Sequence, residues 1–184
     1  FLFSTMALQK CFPKLCVAAF SPVHGDSSAA HKQMLFDRIG YILLLLAALL
    51  LAIDAGTGDV ALLLDFARSG QSGTITIFAA MLLALCALIK SAQFPVHVWL
   101  PEVMETPTPV SATLHAGVIN AGGFLLIRFA DIMLTAPGVL AILVMIGGFT
   151  AIFGSMVMLT QSAVKTSLAW STIAQMGFMI LQCG

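Results

Sequence analysis

Lys90 ends an apolar run, residues 81–89, in which no other side chain is charged. A lysine left without a partner inside a bilayer costs about 2.5–3.5 kcal/mol on insertion scales, so its presence there needs a reason. An amine in a low-dielectric setting can release a proton as well as hold one, which is what a relay requires. A second reading stays open, in which Lys90 is a fixed charge holding carbonyls freed near Pro95. His115 lies seven residues into the apolar stretch 108–129, at about 10 Å of helical rise. Thr108, Ser111, His115 and Gly122 follow the spacing of one helix face. Such a stripe suits either a wet interior, where a histidine can pass protons, or a packing histidine. Lys165 opens the last apolar stretch and shares a face with Thr172 and Gln175, although a lysine near a helix end can also snorkel to the interface. His97, Glu102 and Glu105 follow Pro95 and could shape a proton entrance or simply be solvated.

The elements that must position these groups follow from composition. The 184 residues are 60% hydrophobic and 9% charged, with a mean hydropathy of +1.04. Soluble domains carry roughly a quarter charged residues, so lipid must be part of the solvent for this chain. Eight basic and eight acidic residues cancel, leaving no field to draw nucleic acid, and that partner class is excluded. The four cysteines are scattered without a CxxC pair, and Cys11 and Cys16 with His24 and His31 fit no common metal spacing. No cofactor loop or nucleophile–base pair is present, so neither a cofactor nor a stand-alone enzyme is expected. Phe1 at one end and Gly184 at the other read as cut edges of a longer chain.

The fold class expected is all-α, a polytopic transmembrane bundle forming one domain over residues 1–184. Spans are expected at about 1–8 (partial), 38–53, 74–104, 108–129, 137–160 and 163–182. A polar loop over 9–37 and a loop over 54–73 with a short interfacial helix at 60–64 join them. The element 74–104 is too long for one span and contains Pro95 and Pro101. Proline removes a backbone donor, and in lipid such a break survives only where protein or water satisfies the freed groups. A discontinuous helix is therefore predicted, with Lys90 about halfway along it, near the bilayer midplane. Small residues four apart, Gly117/Ala121, Gly147/Ala151 and Ala151/Ser155, suit close helix contact. Lys10, Lys14, Lys32, Arg38 and Lys165 fall on one side and Arg68 and Arg128 on the other, which puts the first loop in the cytoplasm.

The run Lys90-Ser91-Ala92-Gln93-Phe94-Pro95, then Trp99-Leu100-Pro101-Glu102, Thr106-Pro107-Thr108-Pro109-Val110-Ser111-Ala112 and Leu114-His115-Ala116 resembles the antiporter-like membrane subunits of respiratory complex I and Mrp-type sodium/proton antiporters. Lys165 with Leu168-Ala169-Trp170-Ser171-Thr172 and Gln175-Met176-Gly177 resembles a later signature, and Arg38-Ile39-Gly40 a third. The resemblance implies a fragment of an inverted-repeat bundle with a broken helix around buried lysines, histidine and water. It makes Lys90 the central lysine, His115 the link between half-channels and Lys165 a further lysine of the pattern. The family's glutamate partner for the central lysine would lie before Phe1.

Two departures stand out. Complex I subunits continue His-Ala-Ala-Thr-Met where this chain has His115-Ala116-Gly117-Val118-Ile119, and they carry Asp where this chain has Ser162. Glu102-Val103-Met104-Glu105, Asn120-Ala121-Gly122-Gly123 and Ala169-Trp170 look closer to the DabB-type membrane subunit of an inorganic-carbon pump. That likeness implies a zinc-containing cytoplasmic DabA-type partner and a bacterial inner membrane. The function expected is proton translocation coupled to such a partner. The alternatives are a subunit of an NADH-quinone oxidoreductase (subunit L/5-like), an Mrp-type antiporter, and a non-conducting membrane anchor.

Overall fold

The structure, a computed structural model, describes residues 28–69, 73–102, 117 and 119–184, and among these described residues are eight helices and one short 3-10 turn. They are α1 (Ser28–Ala55), α2 (Val60–Arg68), α3 (Thr74–Lys90), the turn Val96–Val98, α4 (Trp99–Glu102), α5 (Ala121–Arg128), α6 (Ala130–Leu134), α7 (Pro137–Thr160) and α8 (Val164–Cys183). No strand occurs among the described residues. The expected span 1–8, most of the loop 9–37 and the first part of the span 108–129 lie outside them. The stretch 32–55 of α1 and the whole of α7 each contribute 24 residues with mean hydropathies of 2.1 and 2.2, long and apolar enough to cross a bilayer. Leu35, Ile42, Met145, Ile152 and Leu159 point outward from them, as side chains that meet lipid tails would.

α1 starts ten residues before the expected span 38–53. Gln33 and Gly40 continue the buried face of Leu44, Ala47 and Leu51 at helical spacing, so the polar residues wind on with the apolar ones rather than forming a loop. The helix stops at Ala55, where Gly56 takes a left-handed conformation with φ of 65°, open mainly to glycine. α2 is capped by Asp59, whose carboxylate accepts the Ala61 N–H at 3.1 Å. Its buried face, Leu63, Leu64 and Ala67, lies in the same core as Leu51 and Leu83.

α3 runs antiparallel to α1 and the two pack along their length. At its far end the chain turns out of helix. Ala92 has φ of 49°, the Gln93 N–H reaches back to the Leu88 carbonyl at 3.0 Å, and Pro95 begins a new direction into the Val96–Val98 turn and α4. The Ser91 hydroxyl donates to the Ala87 carbonyl at 2.5 Å, and the Phe94 N–H donates to Thr150 of α7 at 3.2 Å. The break is thus held by side chains and neighbouring helices, as lipid requires. α5 closes on it from the other side, and a Cβ at Gly122 would stand 2.6 Å from the Ala87 carbonyl.

α7 and α8 form the tightest seam. Cβ atoms added at Gly147 and Gly177 would meet the facing backbone at 2.7 Å, and Gly154 lies against Ala174. The seam on α7 is therefore Gly147, Ala151 and Gly154, and Ser155, one of the expected contact residues, is exposed. Three turns of one face need the spacing of four and then three, which the four-only pattern misses.

Candidate functional site

Lys90 is the last residue of α3 and is 7% exposed. Its Nζ lies 3.7 Å from Oδ1 of Asp37, a carboxylate on the facing turn of α1 that is itself 18% exposed. That separation makes an ion pair but exceeds a tight hydrogen bond. Gly40 makes the approach fit. A Cβ there would come within 3.4 Å of Lys90 Cε and 3.5 Å of its Cγ, so the lysine stem lies along a bare strip of α1. The Gly40 carbonyl also accepts the Cys86 thiol at 3.1 Å, one turn before Lys90.

About 25 Å of helical rise separates Asp37 from Asp54, and about 8 Å separates it from Lys32. The pair therefore lies toward the Ser28 end of the described part of α1, at the break in the element 74–104. The reason is that α3 ends at Lys90 and the chain after it is a turn rather than more helix. Opposite charges in a low-dielectric setting are stable only when held together. Moving one proton from the ammonium to the carboxylate would leave both neutral. A site of this kind can hold a proton in more than one way.

Glu102 sits at the end of α4 and binds Lys32 of α1, with Nζ at 2.9 and 3.0 Å from its two carboxylate oxygens. This pair is half exposed, at 50% and 35%. His97 lies between the two pairs in sequence, among Phe94, Phe153 and Trp170 at ring separations of 5.6, 5.8 and 5.3 Å. Its Nδ1 is buried without a hydrogen-bond partner, as is Nε1 of Trp99. Phe36 of α1 packs with Ala92, Val96, Trp99 and Leu100, which ties this part of α1 to the break.

The structure thus brings Lys90, Pro95, His97 and Glu102 to one end of the described bundle, against α1. Lys165 stands apart, exposed at the second position of α8. A cation there faces the positive end of the helix dipole, so helix stability does not explain it. His115 lies outside the described residues, as do Thr108, Ser111 and Glu105. Asp37 and Lys32 enter the site from the stretch sequence reading assigned to a loop. The signal for them was the spacing Gln33, Asp37, Gly40, Leu44, a helical face that runs on from the Leu/Ala stretch.

The family described as NADH:quinone oxidoreductase/Mrp antiporter, TM, matches residues 11–184. A probable inorganic carbon transporter subunit DabB of Hydrogenovibrio crunogenus is 47% identical over 156 residues, 84% of this chain and 30% of that protein. The chloroplastic NAD(P)H-quinone oxidoreductase subunit 5 of Zea mays is 38% identical over 164 residues, 86% of this chain and 22% of that one. Among solved structures, the Mrp complex of Dietzia sp. DQ12-45-1b matches with a TM-score of 0.86 and 31% identity, over 94% of this chain and 19% of its counterpart. The chain spans less than a third of the length of these relatives.

Proposed function

Since the chain belongs to the NADH:quinone oxidoreductase/Mrp antiporter transmembrane family, we propose that it is part of a proton-translocating membrane subunit that drives a partner protein. The process it serves in this reading is energy-coupled uptake of inorganic carbon, as CO2 or bicarbonate, across a bacterial inner membrane. The single observation that carries the proton reading is the buried Lys90 paired with Asp37 at a helix break. A pure anchor has no use for a buried ion pair whose members would cost free energy if left alone.

In this account Lys90 takes up and releases the proton, and Asp37 is the carboxylate that holds it in register. His115 and Lys165 carry the proton onward, while His97 and Glu102 lie at the entrance. All these groups belong to the whole subunit, of which this chain is one stretch. The relative named for inorganic carbon transport favours that cargo, and its partner would be a cytoplasmic, zinc-containing protein of the DabA type. A second reading, a subunit of an NADH-quinone oxidoreductase or an Mrp-type antiporter, is favoured by the likeness to the maize and Dietzia proteins.

Purification of the full-length protein from its own cells tests the partnership. A soluble zinc protein should come with it, and deleting either gene should abolish carbon uptake while sparing NADH oxidation. Full activity of the membrane subunit alone in liposomes, or loss of quinone reduction on its deletion, would contradict the proposal.

A further inference from the structure

The close helix contacts of this protein are made over small residues. Gly147, Ala151 and Gly154 form the α7 side of the seam with α8, and Gly122 of α5 lies against the Ala87 carbonyl of α3. Ala47 of α1 and Ala79 and Ala80 of α3 are fully buried in one core. Membrane helices approach over such residues because packing, rather than escape from water, holds them together. Where Leu50 of α1 meets the outer side of α3, the lining is of the opposite kind. A groove of about 250 Å³ is bounded there by Leu50, Ile75, Phe78, Met81, Leu82 and Leu85, all apolar and none small. Leu50 and Leu82 pack on the core and make its floor. Ile75, Phe78, Met81 and Leu85 are exposed and make its wall.

The dimensions of the groove select what can fill it. Ile75 is the second residue of α3 and Leu85 the twelfth, a rise of about 15 Å. That is half of a hydrocarbon core about 30 Å thick, so the groove runs from the start of α3 through one leaflet. Spread over that length, its volume corresponds to a passage about 4 Å across. Carbon atoms in contact stand about 4 Å apart, so a single file of methylene groups fits. A helix is about 10 Å wide with its side chains and is too broad to enter. A helix from the rest of the subunit would also seat best on bare backbone, which this lining does not offer.

We propose that the groove is a binding site for one acyl chain of a phospholipid, drawn from the leaflet on the side of the α2–α3 connection. The chain lies along α3, with its far end against Leu85 and its flank on Leu50 and Leu82. It braces α1 against α3, the two helices that carry Asp37 and Lys90. The site is one of binding alone and does not depend on Lys90 carrying protons.

The test uses the full-length protein in its native complex, in vesicles of phosphatidylethanolamine and phosphatidylglycerol. A small share of the phosphatidylethanolamine carries a photoactivatable diazirine midway along one acyl chain, and labelled residues are mapped by mass spectrometry after irradiation. Labelling of Leu50 and of residues 75–85 should exceed that of the outward face of α7 several-fold, and should persist when excess unlabelled lipid is added before irradiation. Ile75→Trp and Leu85→Trp put a ring in the groove at exposed positions, so insertion should be normal and labelling should fall several-fold. Ile152→Trp, on the exposed face of α7, should leave it unchanged. Labelling no stronger than that of α7, or unchanged in both groove variants, would mean ordinary bilayer lipid and overturn the site. No labelling of residues 75–85 in the wild type would mean that another stretch of the subunit covers the groove, which also overturns it.

Discussion

α1 and α3 touch through a carboxylate at each end, and the two ends are built differently. At one end Asp54 accepts a hydrogen bond from the buried Thr76 hydroxyl, beside the start of α3 at Gly73. That bond joins an acid to a neutral group. At the other end Asp37 faces Lys90 at 3.7 Å, a contact between two charges, next to a helix break and several unpaired polar atoms. A hydroxyl–carboxylate bond ties the two helices together at this end. The ion pair is the place where, in the proposed function, a proton changes hands. The comparison separates what joins the pair of helices from what works in it.

The largest effect should come from the charged end. Asp37→Asn strands the Lys90 ammonium, and removing one partner of a buried pair costs about 3–5 kcal/mol. Partner-coupled uptake is expected to fall by at least about tenfold, whereas Asp54→Asn should leave it near wild type. Equal losses from the two substitutions, measured at matched expression, would erase the distinction. An intermediate effect is expected at Gly40. Gly40→Ala adds a Cβ at ordinary contact distance from the Lys90 stem, and uptake should persist. Gly40→Leu overpacks the strip at a cost of about 1–3 kcal/mol and should displace Lys90, lowering uptake several-fold. Equal activity of Ala and Leu variants would mean that Lys90 does not lie along this strip. The smallest effect belongs to the hydroxyl end. Thr76→Val removes one hydrogen bond, worth about 1 kcal/mol of stability. It should lower the thermal midpoint of the purified protein slightly and leave uptake unchanged. A transport defect there would show that both ends take part.

Sequence alone made the outline of this arrangement legible. A charge closing an apolar run and two prolines beyond it mark Lys90 and the break, because lipid tolerates neither without cause. Pro137 opens α7 as a helix-initiating proline should. Asp37 was hidden for a physical reason. It precedes Arg38 and follows Lys32, so the stretch reads as polar loop, and only its register with Leu44 and Ala47 reveals a helix face. Which residues meet across helices depends on rotation and approach, set by bare backbone at Gly40 and Gly122, which sequence did not mark, and at Gly147, which its spacing from Ala151 did. Glycine leaves no mark in a hydropathy profile that would tell a close contact from a loop. The partnership of Glu102 with Lys32 was illegible for the same reason, since the two are 70 residues apart in sequence.

The central claim is that Lys90 exchanges a proton, and comparing two substitutions tests it most directly. Lys90→Met keeps the length and apolar bulk but removes the titrating group. Lys90→Arg keeps the positive charge yet hardly deprotonates, because the arginine pKa exceeds about 12. Proton flux or partner-coupled uptake, measured in cells at matched membrane expression, should be lost in Met and nearly as low in Arg. Activity near wild type in Lys90→Met would contradict the account, and good activity in Arg with none in Met would make Lys90 a fixed charge at the break instead of a carrier.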